Sequence, residues 1–457
     1  MRALSWREHL ALLVQFALFS PAVARFPFLD QEIVKAYQLK RLQKLVTLAY
    51  DHTWFYHQKY AAAGMHPSDI QSFEAFKALP TVTKDELIAH GEAMIDRRIR
   101  RDRLIVSRSS GSSGKFVSVY LDSQNFITQA LQVMRMLKEF YPAYQPTDRE
   151  LLVYTSPYPV RSLGGFYRVY YVHNLCPAAE IFATMRRLRP AILAIYPSIL
   201  RELVTLYGAQ CATLGVKVIV TNSEHATQEE RDYFAAVFGC PVFDEYSSEE
   251  LASIAQQCVH KRYHLVQDCS YIELLHPDCD GPVAPGQLGE LVGTCLINAA
   301  MPIIRYRQGD MAIAADHDAC SCGKTAPVLA ELSGRKNTAF KQANAPDIPS
   351  GRILDWSYDL VLKLALDVRE FQIIQEELHS VRVRLVTGQH YQAERDNALV
   401  TQHFCQTFGH HFQVRVECVP SIARTRSGKH IPIQSLLGAA SGAGEAAGSM
   451  TRGETTS

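Results

Sequence analysis

The 457-residue sequence lacks a dominant charge, since 47 lysines and arginines stand against 46 aspartates and glutamates. The formal net charge is +1 at pH 7. Such a chain has no global field that would attract nucleic acid or an acidic surface, so we expect no nucleic-acid partner and any anion site must be local. The composition, 47% hydrophobic and 20% charged, is that of an ordinary globular protein.

A long uninterrupted apolar run is also missing. The stretch HLALLVQFALFSPAVARF, behind Arg2 and Arg7, loosely imitates a signal peptide, but Glu8 and Gln15 interrupt this region. The run is too short to span a bilayer. We therefore interpret residues 1–30 as an N-terminal apolar extension, a helix that lies on the protein or on a membrane surface.

The eleven cysteines form no disulfide-like framework. An odd number scattered over a long chain suits a reducing compartment, in which the thiols are free or bound to metal. We therefore expect a cytoplasmic protein.

The length exceeds what one hydrophobic core usually serves, so the sequence predicts more than one domain. From Gln31, apolar residues at steps of three and four predict an amphipathic helix that Gly64 ends. Thr83 and Glu86 have the pattern of a capping box. After Arg103, short β-rich runs alternate with helical ones, which indicates an α/β architecture.

The stretch SRSSGSSGKFVSVY, residues 107–120, places a loop of serines and glycines between two predicted strands. Its backbone N–H groups and hydroxyls, with the charge of Lys115, suit a phosphate group. It is not a Walker A loop, because only two residues separate Gly111 from Gly114 and a strand follows instead of a helix. The alternative is a solvent-exposed hairpin loop.

This loop is similar to the Ser-Ser-Gly-Thr-Thr-Gly-Lys-Pro signature of adenylate-forming enzymes, and four later stretches follow in the order of that superfamily. They are VTNSEHATQEERDYFAAVFGCPVFDEYSSEEL, IIRYRQGDM, SGRKNTAF and ARTRSGKHIP. The sequence most resembles the phenylacetate-CoA ligase family, including its shorter relatives in capsule-polysaccharide clusters. The resemblance covers the chain from near Leu39 to near Pro432.

The resemblance implies an α/β fold class with two domains. Residues 31–334 would form a large ATP- and acid-binding adenylation domain, with α/β layers and a β-rich subdomain. Residues 335–438 would form a small, mobile α+β domain that rotates about a hinge in SGRKNTAF. Residues 439–457 have almost no bulky apolar side chain, so we expect a disordered tail.

The resemblance also implies which residues hold ATP. The phosphate loop would be Ser109, Ser110, Gly111, Ser112, Ser113, Gly114 and Lys115. Ser223, Glu224 and His225 would line the adenine pocket. Asp244 would lie near the adenine amino group, and Tyr246 would stack on the base. Asp310 would accept hydrogen bonds from both ribose hydroxyls, and Arg335 would lie close to the ribose and phosphate.

Three residues would carry the chemistry in this interpretation. Glu250 would bind Mg²⁺, a hard cation that prefers carboxylate oxygens and bridges to phosphates. Lys115 would add positive charge to the phosphate loop. Lys429 would enter the site from the small domain and stabilise the α-phosphate as pyrophosphate leaves. Each motif taken singly also has a plainer interpretation, as a solvated acidic loop, a turn aspartate or an exposed basic loop.

Five positions depart from the motifs of the family. Ser247 replaces a glycine, Glu249 and Gln308 each replace a threonine, and Asn337 and Thr338 replace an acidic pair. Glu249 adds a carboxylate that would repel the substrate carboxylate and the α-phosphate. These departures motivate the alternative of a catalytically silent nucleotide-binding relative.

The segments QQCVHKRYH and ACSCGKT hold a second constellation, made of Cys258, His260, His264, Cys320 and Cys322. Tetrahedral zinc accepts three cysteines and a histidine, and a metal would staple two distant segments. Free buried thiols are the alternative. Relatives in the family carry a similar set, so the resemblance favours a structural Zn²⁺ site in which His264 is preferred to His260.

The segments YTSPYPVRSLGGFY and IYPSIL lie where the family builds its acid pocket, with Tyr158, Phe166 and Tyr196 as candidate wall residues. Together these patterns predict an AMP-forming acid–thiol ligase that activates a carboxylic acid with ATP and Mg²⁺ and transfers the acyl group to CoA. An alternative is transfer to an amine, a sugar or a carrier protein. The acid, the acceptor and whether the chain forms a homodimer stay open.

Overall fold

The computed structural model describes residues 6–108, 117–155, 157, 165–316, 320–343, 345, 347–424 and 430–437. The chain divides into two compact units. The first comprises Met1–Ser333 and Ala423–His430, and the second comprises Gly334–Ile422 and Ile431–Ser457.

The helices among the described residues are α1 (Trp6–Arg25), α2 (Gln31–His52), α3 (Trp54–Ala62), α4 (Phe73–Lys77), α5 (Lys84–His90), α6 (Ser123–Phe140), α7 (Ala178–Leu188), α8 (Pro197–Tyr207), α9 (Gln228–Phe238), α10 (Ser350–Leu362) and α11 (Ala393–Phe408). None of these described helices is long and apolar enough to cross a bilayer.

The described strands are β1 (Ile105–Arg108), β2 (Ser118–Leu121), β3 (Arg149–Tyr154), β4 (Arg168–His173), β5 (Ile192–Ile195), β6 (Val218–Asn222), β7 (Val242–Ser248), β8 (Ala252–Gln257), β9 (Tyr263–Leu265), β10 (Ser270–Leu275), β11 (Leu288–Cys295), β12 (Tyr306–Ala314), β13 (Val328–Arg335), β14 (Val368–Glu377), β15 (Ser380–Thr387), β16 (Gln413–Cys418) and β17 (Ile433–Ser435).

The first unit is built on one large sheet with the order β10-β11-β12-β13-β9-β8-β7-β6-β5-β3-β4. Strands β4, β3, β5, β6 and β7 run parallel, and β7 pairs with β8 antiparallel. The central parallel strands are buried, as Ile192–Ile195 and Val218–Thr221 are buried at every position, because helices cover both faces of such a sheet. Their carboxyl ends meet at one edge, where ligands bind in open α/β sheets.

The sheet curls strongly between β7 and β12. Three strands, β8, β9 and β13, separate the two in the sheet order. On a flat sheet that separation would be roughly 19 Å, at about 4.8 Å per strand. Side chains of β7 and β12 nevertheless form a hydrogen bond, between Tyr246 and Asp310. The curl therefore brings two motifs that are far apart in strand order to one place.

The helix predicted between Gln31 and Gly64 is two helices, which corrects the sequence interpretation. Thr53 separates α2 from α3, with an extended backbone at φ −123° and ψ 145°. Its hydroxyl oxygen accepts the N–H of Tyr56 at 3.3 Å and so caps α3. The hydrophobic periodicity continues across the break, which is why periodicity alone does not reveal it.

The capping box at the start of α5 is confirmed. The backbone N–H of Thr83 donates to the Glu86 carboxylate at 2.9 Å, and the N–H of Glu86 donates to Thr83 Oγ1 at 3.2 Å. Just before it, Val82 forms an isolated parallel bridge with Tyr306 of β12, in which the Val82 N–H donates to the carbonyl of Arg305 at 2.9 Å. These bonds fix the N-terminal region against the start of β12.

Arg305, in the IIRYRQGDM stretch, is buried in the first unit and links two other segments of it through hydrogen bonds. It is 1% exposed and has a left-handed backbone with φ of 49°. Its guanidinium donates to both oxygens of Glu273 at 3.1 Å, and to the carbonyl of Leu79. A bidentate pair of this kind satisfies two buried charges that would otherwise be very unfavourable.

The second unit has the α+β form expected from the sequence, with a four-stranded sheet in the order β16-β15-β14-β17. Strand β15 alternates buried and half-buried positions along Ser380–Leu385, the pattern of a sheet with one covered face. Its buried side chains pack with aromatic side chains of α10 and α11, including Trp356 and Phe404.

Candidate functional site

The candidate nucleotide-binding residues lie at the carboxyl ends of the parallel strands. Ser223, Glu224 and His225 follow β6, and Asp244 and Tyr246 lie in the neighbouring strand β7. Strands β6 and β7 pair in register, with Thr221 opposite Asp244. The sheet therefore places the NSEH and DEYSSEE stretches side by side.

Asp244 is held from both sides by hydroxyl groups, one on the buried Thr221 and one on the half-buried Tyr263. Thr221 Oγ1 donates to Oδ1 at 2.7 Å, and the Tyr263 hydroxyl donates to Oδ2 at 2.7 Å. The backbone N–H of Asp244 donates to Gln257 Oε1 at 3.0 Å. Asp244 is 8% exposed. A carboxylate with both oxygens engaged has a fixed orientation, so the adjacent backbone is fixed as well.

The turn after β6 has an unusual backbone, because Ser223 has φ of +65°. Glu224 accepts hydrogen bonds from two backbone N–H groups, those of Ser198 at 3.0 Å and His430 at 3.3 Å. His430 follows Lys429 in the chain. Desolvation by the surrounding protein, followed by repulsion from Arg231, lowers the pKa of His225 to about 4. The ring is therefore neutral near pH 7, even though part of its surface faces solvent.

Tyr246, Gln308 and Asp310 form a three-membered hydrogen-bond cluster. The Tyr246 hydroxyl donates to Asp310 Oδ2 at 2.6 Å. The Gln308 amide donates to the same oxygen at 3.0 Å and to the Tyr246 hydroxyl at 2.5 Å. Gln308, which stands where the family has threonine, therefore orients both residues. A threonine side chain is too short to reach both in the same way.

The turn between β7 and β8 carries Glu249 and Glu250. Glu249 Oε2 accepts the hydroxyl of Ser107 at 2.5 Å. Ser107 belongs to β1, which enters the serine- and glycine-rich loop. Strands β1 and β2, the two predicted on either side of this loop, pair antiparallel. Glu250 is 7% exposed. The start of the phosphate-loop hairpin and the candidate magnesium ligand thus lie at one turn.

Gly293 of β11 leaves the space that the side chain of Leu251, next to this turn, occupies. A Cβ atom at this glycine would lie 2.2 Å from Cδ1 of Leu251, which is fully buried. Only a residue without a side chain lets Leu251 pack there, directly after Glu250. The turn is closed by the N–H of Leu251, which donates to Ser248 Oγ at 3.1 Å.

Polar groups also lie at the carboxyl ends of β6, β5 and β3. The Asn222 amide donates to the Tyr154 hydroxyl at 2.6 Å, and the rings of Tyr154 and Tyr196 lie 5.2 Å apart. Burial raises the pKa of Tyr196, and the charges of Glu224 and Glu249 raise it further. Of the predicted wall residues, Tyr196 is buried at this edge and Phe166 is 50% exposed, whereas Tyr158 lies outside the described residues.

The predicted cysteine and histidine ligands come together. The ligand atoms of Cys258, His264, Cys320 and Cys322 all lie within 4.8 Å of one another. The sulfurs of Cys258 and Cys320 are 3.8 Å apart, and Cys322 Sγ lies 3.4 Å from His264 Nε2. His264 Nδ1 lies 3.1 Å from the carbonyl of Ala326, which fixes the ring and directs Nε2 to the sulfurs.

These distances fit a tetrahedral zinc ion. Zn–S bonds of about 2.3 Å at tetrahedral angles place two sulfurs roughly 3.8 Å apart, the separation found between Cys258 and Cys320. The group contains His264 rather than His260. A centre with four protein ligands has no open position, so a zinc ion bound here would be structural.

The other predicted nucleotide-binding and catalytic residues are either outside the described residues or in the second unit. Residues 109–116, with the serines, glycines and Lys115 of the phosphate loop, and Lys429 lie outside the described residues. Arg335 is the last residue of β13 and belongs to the second unit, where its N–H donates to Ser350 Oγ at 3.3 Å. Ser107, Thr221 and Tyr263 were missed in the sequence, because a lone hydroxyl residue in a strand carries no local signal.

Comparison with known proteins agrees with this architecture. Residues 357–435 match the model of the family described as CapK C-terminal domain. A phenylacetate-coenzyme A ligase of Thermus thermophilus is 24% identical over 338 residues, which are 70% of this chain and 73% of that relative. Protein CapK of Staphylococcus aureus is 20% identical over 375 residues, 77% of this chain and 78% of the relative.

Among solved structures, 2-hydroxyisobutyryl-CoA ligase in the postadenylation state, in complex with R3-HIB-AMP, has a TM-score of 0.73. It is 19% identical, and the match covers 89% of this chain and 90% of that one. The chain therefore has the fold of the adenylate-forming CoA ligases. In sequence it is similar to phenylacetate-CoA ligases and to CapK, which confirms the resemblance seen in the sequence motifs.

Proposed function

We propose that the protein activates a carboxylic acid with ATP and Mg²⁺, forming acyl-AMP and pyrophosphate, and then transfers the acyl group to CoA. The observation that carries this proposal is the hydrogen-bond cluster of Tyr246, Gln308 and Asp310. The cluster joins β12, which carries Gln308 and Asp310, to β7, which carries Tyr246 and Asp244 and leads to Glu250. One curled sheet thereby carries the residues proposed to bind the adenine, the ribose and the metal ion of a single nucleotide.

In this proposal different residues bind the different parts of the nucleotide. The Ser223–His225 turn and Asp244 bind adenine, Tyr246 stacks on it, and Asp310 accepts the ribose hydroxyls. The neutral His225 adds no charge beside the base. Residues 109–115 bind the phosphates, with Glu250 as the ligand of Mg²⁺. The first unit is then the adenylation domain, and the second, with Arg335 at its start, is the small mobile domain.

The chemistry needs this distribution of charge. A carboxylate is a poor acylating agent, and attack of its oxygen on the α-phosphorus makes AMP a good leaving group. The protein holds two anions that repel each other and neutralises the charge that develops as pyrophosphate departs. Bound Mg²⁺ would neutralise phosphate charge. Lys115 and Lys429 are the side chains proposed to complete this neutralisation.

The test is ATP–pyrophosphate exchange with a panel of aryl, fatty and hydroxy acids. We expect exchange with some acid in the wild type, and a loss of about 100-fold or more in Lys429→Ala and Glu250→Gln. Lys363→Ala, a change at an exposed lysine, is the matched control. Equal exchange in Lys429→Ala refutes the role of that lysine. ATP binding without exchange for any acid supports a catalytically silent relative.

The acceptor is the finer part of the proposal. The family that residues 357–435 match is named for CapK, a name that specifies no acceptor, and the alternative is transfer to an amine, a sugar or a carrier protein. Once an acid is found, thioester formation with CoA is measured against hydroxamate formation without it. Activation without thioester would assign the chain to the non-CoA alternative.

We further propose that Cys258, His264, Cys320 and Cys322 bind a structural Zn²⁺ ion. The sulfur and nitrogen distances and the fixed His264 ring support this assignment. Elemental analysis of the purified protein should give one zinc per chain, and Cys258→Ser should abolish it. Cys279→Ser, at an exposed cysteine away from the cluster, should leave the zinc content unchanged.

A further inference from the structure

The N-terminal helix α1 exposes a continuous apolar face. Trp6, Leu10, Val14 and Leu18 recur at every fourth position and are between 50% and 68% exposed. Steps of four keep side chains on one side of a helix, since each step turns only about 40° beyond a full turn. Four large apolar side chains in one exposed row form a patch of the kind that marks an interaction surface.

The opposite side of α1 is covered by the protein. The side-chain amides of Gln15 and Gln124 exchange hydrogen bonds of 3.0 and 2.9 Å, which join α1 to α6. Ala11 and Val23 pack against the small core of Ile127 and Leu131 on the same helix. The helix is therefore fixed to the first unit through one face, and the row from Trp6 to Leu18 points away.

The charges of the helix are distributed in the same way. Where side chains of α1 are described, the exposed ones are Trp6, Arg7, Leu10, Val14, Leu18, Pro21, Ala22, Ala24 and Arg25. All of these are apolar or basic. The acidic residue Glu8 is half-buried. The exposed face thus combines apolar bulk with positive charge, and the guanidinium of Arg7 lies 5.6 Å from the ring centre of Trp6.

We propose that this face of α1 docks the protein onto the surface of an anionic lipid bilayer. An amphipathic helix with large apolar side chains, a tryptophan and arginines lies in the plane of the interface, with its apolar side inserted at the headgroup boundary. The helix does not meet the requirements for crossing a bilayer. Glu8 on the protein-facing side avoids repulsion from anionic headgroups.

A second copy of the chain fits this face less well. Stable protein interfaces bury about 800 Å² on each partner, far more than one row of four side chains provides. Two such rows would also bring Arg7 and Arg25 of each copy close to those of the other, at an unfavourable energy. A lipid surface has neither problem, because it presents negative charge and deforms around the side chains.

The test is sedimentation of the full-length protein with vesicles of phosphatidylcholine, alone or mixed with phosphatidylglycerol. We expect binding to the mixed vesicles that weakens at high salt. Leu10→Ser combined with Leu18→Ser should reduce the partition coefficient about tenfold or more. Arg7→Gln combined with Arg25→Gln should reduce binding to the mixed vesicles to the level seen with phosphatidylcholine alone.

The matched control is Leu175→Ser combined with Leu206→Ser. These two leucines are 54% and 55% exposed on other elements, so they test whether any exposed leucine suffices. The control should bind as the wild type does. Wild-type protein that stays in the supernatant, or a Leu10 and Leu18 variant that binds normally, overturns the proposal. A wild-type dimer that this variant converts to monomer also overturns it, since the face would then be an interface between copies.

Discussion

The hydroxyl of Tyr246 lies 2.6 Å from Oδ2 of Asp310 and donates a hydrogen bond to it. The two residues belong to β7 and β12, which three other strands separate in the sheet. This contact joins the aromatic residue proposed to stack on adenine to the carboxylate proposed to bind ribose. Nucleotide affinity should therefore depend on both residues and on Gln308, which donates to both.

The first prediction concerns this cluster. Tyr246→Phe keeps the aromatic ring and removes a hydrogen bond to a charged oxygen. Loss of a bond worth about 1.5 kcal/mol should raise the KM for ATP roughly tenfold. Gln308→Thr should raise it less, because it leaves the Tyr246 hydroxyl bond in place. Asp310→Asn should have the largest effect. Tyr233→Phe, at an exposed tyrosine of α9, is the control, and a KM as high in this control as in Tyr246→Phe would contradict the prediction.

The second prediction concerns the buried hydroxyl beside Asp244. Thr221→Val has the same shape but leaves Asp244 Oδ1 without its donor, so the free energy of unfolding should fall by about 1–3 kcal/mol. Thr221→Ser keeps the hydroxyl and should lose less. Chemical denaturation measures both variants. If Thr221→Val is as stable as the wild type, the hydroxyl does not hold Asp244.

The third prediction is a pH dependence of stability. Burial raises the pKa of Glu150 from 4.5 to about 7. The folded state then binds more protons than the unfolded state between these values, so stability falls as the pH rises from about 4.5 to about 7. Glu150→Gln removes this loss and should stabilise the protein by on the order of 1–3 kcal/mol at about pH 8, with little effect near pH 4.5.

Urea denaturation across that pH range measures the effect of Glu150→Gln. Glu180→Gln, at an exposed position in α7, provides the control and should leave the pH dependence unchanged. A parallel shift of the Glu150→Gln curve at every pH would show that burial does not perturb this carboxyl.

The fourth prediction links the proposed zinc centre to the N-terminal arm, residues 26–38. Thr325, three residues after Cys322, donates its N–H to the carbonyl of Pro27 at 3.0 Å and its hydroxyl to the carbonyl of Leu29 at 2.5 Å. Gln31 also donates to the Thr325 hydroxyl at 3.0 Å. Loss of the metal should loosen the loop that makes these bonds.

Hydrogen exchange measures this coupling. After treatment with a strong chelator, or in Cys322→Ser, the amides of residues 26–38 should exchange faster, while α11 in the second unit should be unaffected. Re-addition of zinc should restore protection in the treated wild type and not in the variant. Unchanged exchange over residues 26–38 would mean that the arm is held independently of the cluster.

Much of the fold follows from local pattern. The β-rich runs after Arg103 and the capping box at Thr83 are where periodicity and capping chemistry place them. These features depend on residues within one turn or one strand. The resemblance to a known family was likewise carried by short motifs, and it is confirmed by the relatives found.

What local pattern missed depends on residues far apart in sequence. The break at Thr53 lies inside continuous apolar periodicity, and only packing reveals it. Thr221 and Tyr263 hold Asp244 from two different strands, and nothing near either residue marks that role. The contact between β7 and β12 depends on the curl of the whole sheet, which pairing and packing determine together.

Arg305 and Asp310 lie within six residues, one buried against Glu273 and the other turned to Tyr246. One short segment thus serves both the interior and the candidate site. Random mutagenesis of IIRYRQGDM scored only by lost turnover would not distinguish variants that fail to fold from variants that fold but lack activity. Soluble yield measured alongside should separate them, with Arg305 variants failing to accumulate and Asp310 variants accumulating without turnover.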